Sequence, residues 1–432
     1  MDLFEKITSL AKRRGFVYPG SEIYGGFAGT WDYGPLGVEL KRNIKNEFWK
    51  NMVTMRENIV GLDAAIVMHP RVWEASGHVE SFADPLVECK KCHKRFRADQ
   101  VGEKCGECGG EFTGAKQFNL LMETAVGVVE GSKQKTYLRG EITQGVHVNF
   151  KNVVDSTRVK IPFGIAQVGK AFRNEITPGQ FTFRSREFEQ MEVQFYVPRD
   201  DQKSMEWFEY WKEERKSWYE SLGMRKENLR FKDHEALAHY ARAACDIEYN
   251  VGDDWKEMEG IHHRGDWDLR RHQEFSKQDL TYFDDATKEN YLPYVIETSG
   301  GVDRATLFFL MDAYHEEEVK EGEMRTVLKL HPKLAPYKAA VFPLLANKPE
   351  LTECAQKIYK ELQKSFMVTW DDRGNIGKRY RAQDEIGTPY CVTVDFDSLE
   401  KGDVTVRDRD TMQQERVKIS ELENYLHKKI AL

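Results

Sequence analysis

The sequence lacks any hydrophobic run close to the length, about 20 residues, that a membrane-spanning helix needs. Its first residues, MDLFEKITSLAKRRGF, contain no long apolar stretch and no small-residue cleavage site, so no secretory signal is predicted and we expect the protein in the cytoplasm. Positive charge is not in excess either, because the 432 residues carry a formal net charge of −7. This balance argues against bulk nucleic-acid packaging, although a local basic face can still bind a nucleic acid.

Cysteine is also scarce, and the seven in the chain do not resemble the disulfide framework of a secreted protein. Four of them follow the spacing C-x2-C, twelve intervening residues, C-x2-C, at Cys89, Cys92, Cys105 and Cys108. Each pair can place two thiolates on one turn, and two such turns complete a tetrahedral Zn²⁺ shell. We therefore predict a structural zinc site. Two disulfides or free thiols are the alternatives, and disulfides are rare in the cytosol.

The chain length suggests about three domains. Apolar residues recur every four positions at Leu40, Ile44, Phe48 and Met52, which predicts a helix over residues 38–52. Strand patterns follow in residues 116–200 and 246–312, and the intervening segment of about 200–245 is predicted to be helical. Beyond three prolines between 332 and 343, alternating strand and helix patterns predict a small α/β domain.

A polar loop between two strand patterns at 170–197 predicts an antiparallel hairpin. In its second strand Met191 and Val193 alternate with Gln190 and Glu192, so one face should pack on the core and the other carries an amide and a carboxylate. The hairpin also presents charged residues at Arg173, Glu175, Arg184 and Arg186. An arginine fork matches phosphate oxygens, which makes the hairpin a candidate phosphate site. An edge hairpin with surface ion pairs is the alternative.

Three motifs extend this pattern. Phe-Arg-x-Glu at 172–175, followed by a loop and a strand, resembles motif 2 of class II aminoacyl-tRNA synthetases. Gly34 and Pro35, just before the predicted helix, resemble motif 1, and a glycine-rich turn entering a helix that bears Arg304 resembles motif 3. Five segments in the family's order closely resemble the glycyl-tRNA synthetases of the homodimeric type: WDYGPLGVELKRNI, WEASGHVESFADPL, LRGEITQGVHVNF, REFEQMEVQF and VIETSGGVDR.

The resemblance implies an α+β fold, with the antiparallel class II sheet flanked by helices, a small zinc-binding insert and a C-terminal α/β anticodon-binding domain. It divides the chain into the catalytic domain's first part with motif 1 (1–84), the four-cysteine insert (85–115), the catalytic domain with motifs 2 and 3 and the helical insertion (116–328), and the anticodon-binding domain (329–432). It implies ATP-dependent activation of glycine to glycyl-adenylate and transfer to the 3′-terminal ribose of tRNA(Gly). ATP with Mg²⁺, glycine, tRNA(Gly) and a second copy of the chain are the implied partners, without a membrane.

The family's site residues carry over onto matching positions. Arg173 is implied to hold the α-phosphate and Arg304 the γ-phosphate, as the two catalytic residues, while Glu257 binds Mg²⁺, with Glu259 as a second candidate. The implied ATP-binding set is Arg173, Asn174, Glu175, Phe183, Arg184, Glu187, Phe188, Glu257, Met258, Gly301 and Arg304. The implied glycine-binding set is Arg97, Glu141, Phe188, Gln190, Glu192, Glu297 and Ser299.

Two alternatives differ in function. A class II synthetase for threonine, proline, serine or histidine is one, but a threonyl pocket would need metal ligands in the active site. A non-catalytic paralogue that only binds nucleic acid is the other, and such proteins typically lose the ATP-binding residues. The chain departs from the family at Gly179, where an arginine is common, and at Asp303, where some relatives have glycine. In the C-terminal domain Lys378, Arg379 and Arg381 either contact tRNA phosphates or form a solvated face.

Overall fold

A computed structural model describes residues 2–129, 131–176, 179, 181–235, 237, 241–252 and 254–431. Helices pack against an antiparallel sheet, which confirms the predicted α+β class. Within the described residues seven strands form this central sheet, in the order Leu229–Asp233, Ala243–Asn250, Trp255–Gly265, Tyr294–Gly301, Glu187–Val197, Phe163–Phe172 and Ile59–Gly61. Neighbouring strands are antiparallel, except that the last two are parallel.

The predicted hairpin lies in the interior of this sheet, as the fifth and sixth of its seven described strands. Its strands, Phe163–Phe172 and Glu187–Val197, are antiparallel neighbours. Met191 and Val193 are fully buried in the main core, as their alternation predicts. Gln190 and Glu192, the polar positions that alternate with them, face a cavity. The hairpin is therefore a central element with one functional face, and the alternative of a salt-bridged edge hairpin is wrong.

The helix predicted over 38–52 begins at Pro35, ends at Trp49 and continues as a π-helical turn, Lys50–Thr54. Proline suits the first helical position because its missing N–H has no partner to lose there. The four apolar residues spaced by four positions are all fully buried against the core. Other helices before residue 314 are Leu3–Arg14, Arg71–Ala75, His78–Ser81, Thr143–His147, Phe150–Ser156, Asp201–Ser221, Trp267–Ser276 and Val302–Ala313.

Among its described residues, the segment predicted to be helical over about 200–245 contains the α-helix Asp201–Ser221 and a single 3₁₀ turn, Lys226–Asn228. It then supplies the strands Leu229–Asp233 and Ala243–Asn250 of the central sheet, so the prediction was wrong beyond residue 221. The strand LRFKD is an edge strand with charged outward side chains, and its composition therefore resembles that of a surface helix. Residues 236 and 238–240 of this segment lie outside the described residues.

Smaller strands surround the central sheet. Ala83–Glu88, Arg95–Arg97 and Lys116–Asn119 form a three-stranded sheet that carries the four-cysteine segment. The remaining strands before residue 329 form two-stranded pairs: Val17–Pro19 with Trp31–Tyr33, Met122–Val126 with Gln134–Leu138, Tyr282–Asp284 with Glu289–Tyr291, and Tyr314–Lys320 with Glu323–Leu328.

The C-terminal segment has its own core and confirms the predicted α/β alternation. Its sheet has the order Val368–Trp370, Ala339–Pro343, Tyr390–Val394, Asp403–Asp408 and Gln414–Lys418. Its helices are Pro349–Leu362, Ile376–Ile386, Phe396–Lys401 and Leu422–Ala431. The short helix Phe396–Lys401 and the edge strand Gln414–Lys418 were not predicted. Among the described residues no helix combines the length and the apolar composition needed to cross a bilayer.

Candidate active site

A cavity of about 240 Å³ lies on the polar face of the central sheet, where three neighbouring strands run side by side. It brings together residues that are distant in the sequence, including both predicted catalytic arginines and the predicted acidic cluster. The predicted residues that line it are Glu141, Arg173, Glu175, Phe183, Arg184, Phe188, Gln190, Glu192, Glu257, Met258, Glu297, Ser299, Gly301 and Arg304.

Arg173 lies between two aromatic rings at one end of the cavity. Its Nε donates a hydrogen bond to the Gly140 carbonyl at 3.0 Å. Its guanidinium carbon lies 5.1 Å from the ring centroid of Phe82 and 5.2 Å from that of Phe188. Within the described part of the chain no carboxylate forms an ion pair with it. Its remaining N–H groups are thus held in a fixed direction and are available to an anion.

Arg304 enters the same cavity from the first turn of the helix Val302–Ala313. Its guanidinium carbon lies 4.7 Å from the ring centroid of Phe183. Its Nη1 is 2.9 Å from Oε1 of Glu257, whose side chain is half exposed. Arg304 holds the pKa of the Glu257 carboxyl below its ordinary value. The pair therefore presents a cation and an ionised carboxylate side by side at the cavity mouth.

Glu175 is nine-tenths buried, and its Oε2 has no hydrogen-bond partner among the described residues. A buried carboxylate oxygen without a donor is unfavourable by about 1–3 kcal/mol or more. A donor group on a bound molecule would satisfy it.

The other end of the cavity is acidic. Glu192 accepts hydrogen bonds from the hydroxyls of Ser299, at 2.6 Å, and Thr143, at 2.7 Å. Glu297 accepts from the same Thr143 hydroxyl at 3.1 Å and from Gln194 at 2.8 Å. Both carboxylates are almost completely buried. One small hollow thus holds two carboxylates that share a donor.

The two carboxyls differ in charge. Burial, followed by repulsion from Glu297, raises the pKa of Glu192 to about 8. Burial would raise the pKa of Glu297 as well, but Arg264 and His262 outweigh it and hold that pKa well below its ordinary value. Glu297 is therefore ionised at neutral pH, and Glu192 holds a proton when nothing cationic is bound.

Arg264 supplies the positive charge behind this hollow. Its Nη1 lies 3.1 Å from Glu297 Oε1, and its Nε lies 2.7 Å from Asp268 Oδ2. Glu141 completes the acidic lining beside His78, at 3.3 Å. Burial alone would raise the pKa of Glu141, but His78 and then Arg264 lower it to about 2. The hollow is thus a fixed anionic pocket that suits a small cation.

Comparison with known proteins decides the family. A family description, "tRNA synthetase class II core domain (G, H, P, S and T)", matches residues 128–314, and "Anticodon binding domain" matches residues 338–429. The glycine–tRNA ligase of Geobacillus kaustophilus is 54% identical, over 99% of each chain. That of Borreliella burgdorferi is 55% identical, over 99% of this chain and 97% of its own. The chain belongs to the glycine–tRNA ligase family.

Three predicted residues lie outside the lining of the cavity in this member of the glycine–tRNA ligase family. Arg97 forms ion pairs with Asp84 and Asp99, both at 2.7 Å, on the sheet of the four-cysteine segment. Asn174 donates its backbone N–H to the Leu120 carbonyl. Glu187 pairs with a lysine in an adjoining groove. Their roles in binding substrate stay predictions.

Sequence analysis missed several residues of the site, above all Thr143, His262 and Arg264. A signal was present for two of them. From Met258 onward, every second residue of the strand Trp255–Gly265 lines the cavity, and both His262 and Arg264 fall on that face. Thr143 follows Glu141 by two positions at the start of a short helix, where no periodicity marks it.

Glu259, the second candidate for Mg²⁺, points to the opposite face of the sheet. It is fully buried and receives hydrogen bonds from Arg215, at 2.6 and 3.0 Å, and from the Tyr219 hydroxyl, at 2.6 Å. It does not line the cavity. The prediction was wrong because the strand has a bulge, in which Glu257 and Glu259 lie opposite the adjacent residues Glu248 and Ile247.

The four cysteines form a compact cluster. Their sulfurs all lie within 4.8 Å of one another, with Cys89 and Cys108 at 3.4 Å and Cys92 and Cys105 at 3.8 Å. This geometry is compatible with a zinc ion, and the cysteines are not joined by disulfides in the structure.

For Arg379 of the C-terminal domain, both alternatives, a phosphate contact and a solvated face, are wrong. Arg379 is 2% exposed, and its guanidinium donates to the carbonyls of Pro343 and Gly374. Lys378 and Arg381 line a groove of about 530 Å³ beside it. Arg379 is a structural residue because no phosphate can reach a guanidinium whose donors are already used inside the fold.

Proposed function

We propose that this protein activates glycine with ATP and transfers it to tRNA(Gly). The observation that carries the proposal is the single cavity that joins Arg173 and Arg304 to an anionic hollow formed by Glu141, Glu192 and Glu297. A nucleoside triphosphate needs cations at its phosphates, and an amino acid needs an anion at its ammonium group. Residues that meet both requirements line this one cavity, and holding two reactants side by side is a large part of catalysis.

In the first step an oxygen of the glycine carboxylate attacks the α-phosphorus of ATP. A bond forms between them, and the bond from that phosphorus to the pyrophosphate oxygen breaks. Negative charge grows on the phosphoryl oxygens, and Arg173, held by Gly140 and two aromatic rings, stabilises it without proton transfer. No general base is required because the carboxylate is already ionised.

The rest of the nucleotide has matching groups. Glu175 has a buried oxygen that needs a donor, and the adenine amino group supplies one. Phe188 offers a ring face to the adenine, and Arg304 offers a guanidinium to the γ-phosphate. Glu257 is ionised and half exposed, which suits an oxygen ligand for ATP-bound Mg²⁺. The magnesium would neutralise phosphate charge when bound.

The hollow selects glycine by charge and by space. The glycine ammonium is a three-fold donor, and it finds acceptors on Glu192, Glu297 and Ser299. A methyl group contributes only about 1–3 kcal/mol of hydrophobic preference, so crowding must exclude alanine. In the second step the oxygen of the terminal ribose hydroxyl of tRNA attacks the glycyl carbonyl carbon. The bond from that carbon to the phosphate oxygen breaks, AMP leaves with the electron pair, and the hydroxyl proton is released to solvent.

The proposal includes a homodimer with a two-fold axis. Three hydrophobic side chains of one loop, Ile23, Tyr24 and Phe27, are 89%, 86% and 62% exposed. Such a concentration of exposed apolar surface is typical of an interface. Arg186, on the hairpin beside the cavity, donates to the Ala28 carbonyl of the same loop at 2.7 Å. A partner that covers the loop would therefore stabilise the active-site hairpin.

The dimer is tested by sedimentation velocity. Tyr24→Asp should shift the protein to the monomer mass because it places a charge in the interface. Val128→Ser is the control, since Val128 is 99% exposed on a different hairpin. A monomeric wild-type protein would exclude the dimer.

We also propose that Cys89, Cys92, Cys105 and Cys108 hold a structural Zn²⁺. Zinc–sulfur bonds of about 2.3 Å in a tetrahedron separate the sulfurs by about 3.8 Å, and two pairs in the cluster lie at 3.4 and 3.8 Å. With four protein ligands the ion would support folding and take no part in the reaction. The domain boundaries given above and the cytoplasmic location stay predictions that accompany this proposal.

ATP–pyrophosphate exchange with each of the twenty amino acids tests the function. Only glycine should support exchange, and Arg173→Ala should reduce it by about 10²-fold or more, since one oxyanion donor is typically worth that much. Arg173→Lys keeps the charge but loses the planar fork, so it should recover little activity. Exchange with a different amino acid, or with none, would refute the proposal.

A further inference from the structure

Asp303, the residue before Arg304, joins three elements at the edge of the cavity. Its Oδ2 accepts a hydrogen bond from the backbone N–H of Glu189 at 2.6 Å. Its Oδ1 accepts from the Tyr33 hydroxyl at 2.5 Å and lies 2.9 Å from Lys41 Nζ. The side chain is 8% exposed. One carboxylate thus connects the helix Val302–Ala313 with three other parts of the chain. These are the hairpin, the residue Tyr33 just before the helix Pro35–Trp49, and Lys41 within that helix.

The bond to Glu189 replaces a missing strand contact. The strands Glu187–Val197 and Tyr294–Gly301 are paired as far as Gln190 and Gly301, where the second strand ends and the helix begins. The next N–H on the first strand, that of Glu189, has no strand partner on this side. Asp303, the second residue of the helix, supplies the acceptor. The carboxylate therefore extends the connection between the two elements by one more hydrogen bond.

Each of the two bonded residues has a sequence neighbour in the lining of the cavity. Phe188 precedes Glu189, and Arg304 follows Asp303; both line the cavity. The bond between Asp303 and Glu189 consequently constrains the separation of the two backbone segments that carry Phe188 and Arg304. A glycine at position 303 would have no side chain with which to make this hydrogen bond.

Lys41 holds the carboxylate of Asp303 in place. Its Nζ lies 2.8 Å from Glu189 Oε2 as well as 2.9 Å from Asp303, and 4.1 Å from the ring centroid of Tyr33. Burial alone would lower the pKa of Lys41, but Asp303 and Glu189 outweigh it and raise that pKa. Lys41 is therefore protonated, and the charge-assisted contacts that an ammonium group makes are the stronger kind of hydrogen bond.

We propose that Asp303 is a positioning residue for ATP, which sets the width of the nucleotide site through the Glu189 backbone and is anchored by Lys41. This inference rests on the proposed function. The inference predicts an effect on ATP binding and not on glycine binding. The hydrogen bond from Glu189 to Asp303 connects segments that carry residues proposed to bind the nucleotide, whereas the carboxylates of the glycine hollow are held by Thr143 and Arg264.

Kinetics of ATP–pyrophosphate exchange test the inference with three variants. Asp303→Ala should raise KM for ATP about tenfold or more, since small misplacements of binding groups are costly, and leave KM for glycine within about twofold. Asp303→Asn keeps an oxygen acceptor and should recover most of the ATP affinity. Lys45→Met is the matched control: Lys45 pairs with Glu189 at 2.9 Å but does not contact Asp303, so both KM values should stay within about twofold.

Calorimetric binding of a non-hydrolysable ATP analogue makes the inference independent of turnover. Asp303→Ala should weaken that binding by the same factor as it raises KM for ATP, even in the case that glycine does not support exchange in the wild-type protein. Equal increases in KM for ATP and glycine, or unchanged ATP binding in Asp303→Ala, would overturn the inference. If the alanine variant does not fold, Asp303→Asn, which is isosteric and keeps an oxygen acceptor, takes its place. ATP binding by this variant at the level of the Lys45→Met control supports the inference. A tenfold loss of ATP binding in this variant overturns the inference.

Discussion

Glu192 and Glu297, on neighbouring antiparallel strands, share the hydroxyl of Thr143, which lies 2.7 Å from an oxygen of the first and 3.1 Å from an oxygen of the second. Two buried carboxylates at this separation do not both ionise readily. Arg264 lies on the side of Glu297, and Glu192 therefore takes the proton. The empty glycine hollow is consequently less negative than its three carboxyl groups suggest.

This sharing predicts a pH dependence of stability. Because the folded-state pKa of Glu192 is raised to about 8, the folded protein holds one more proton than the unfolded chain between about pH 4.5 and 8. The contribution of this group is fully present below pH 4.5 and is lost as the pH rises through 8, at about 1.4 kcal/mol per pH unit within that window. In the whole protein His263, His272 and His331, whose pKa values burial lowers to about 4, oppose this trend, so the contribution of Glu192 is measured by urea unfolding without glycine at pH 5.5 and 7.5, relative to a variant that lacks the titrating group.

Glu192→Gln is the matched variant for that measurement. It keeps the shape and removes the titrating proton, so the stability of the wild type relative to this variant should be lower at pH 7.5 than at pH 5.5. Glu297 and Glu141 have lowered pKa values and lose their stabilisation only at more acidic pH. Saturating glycine should flatten the wild-type dependence, since its ammonium replaces the proton. Identical slopes for wild type and variant would contradict the assignment.

Arg264 should control glycine affinity. Arg264→Met leaves Glu297 and Asp268 buried without their shared cation. Glu297 should then take up a proton, which makes the hollow less negative. We expect glycine binding, measured by calorimetry, to weaken about tenfold or more and the stability to fall by about 3–5 kcal/mol. Arg264→Lys keeps one charge and should be milder on both counts. Glycine affinity that is unchanged in the methionine variant would remove Arg264 from the site.

Glu257 and Glu259 give a pair of variants with opposite outcomes. Glu257→Gln should reduce the exchange rate and its response to Mg²⁺, with little loss of stability, because its side chain is half exposed beside Arg304. Glu259→Gln should lower the stability by about 3–5 kcal/mol, since it leaves Arg215 as a buried unpaired charge. Thermal unfolding and exchange kinetics separate the two effects. A destabilised Glu257→Gln together with a stable Glu259→Gln of reduced exchange rate would contradict the assignment of the two residues to opposite faces of the strand.

The zinc site predicts about one zinc per chain by elemental analysis. Cys108→Ser should lose the metal and make the four-cysteine segment more sensitive to proteolysis, because structural zinc contributes directly to local folding. Cys354→Ser is the control, as this half-buried cysteine stands apart from the cluster. Full activity and protease resistance in a metal-free wild-type protein would reject the site.

Local patterns determined much of the structure. The four-residue spacing of Leu40, Ile44, Phe48 and Met52 was sufficient to predict a buried helix, since helical geometry puts such residues on one face. The two-residue alternation around Met191 likewise predicted which side of the hairpin strand meets the core. The cysteine spacing predicted a four-sulfur cluster. Each of these patterns depends on one segment, so the sequence contains it directly.

The tertiary structure alone decided how distant segments meet. Thr143 reaches two glutamates 49 and 154 residues away, and Asp303 reaches Lys41 across 262 residues. No local period encodes such contacts, because sheet register and helix packing set them. The case of Glu257 and Glu259 is the sharpest. A regular strand would place both on one face, and one extra residue in a bulge directs the first to the nucleotide site and the second to Arg215.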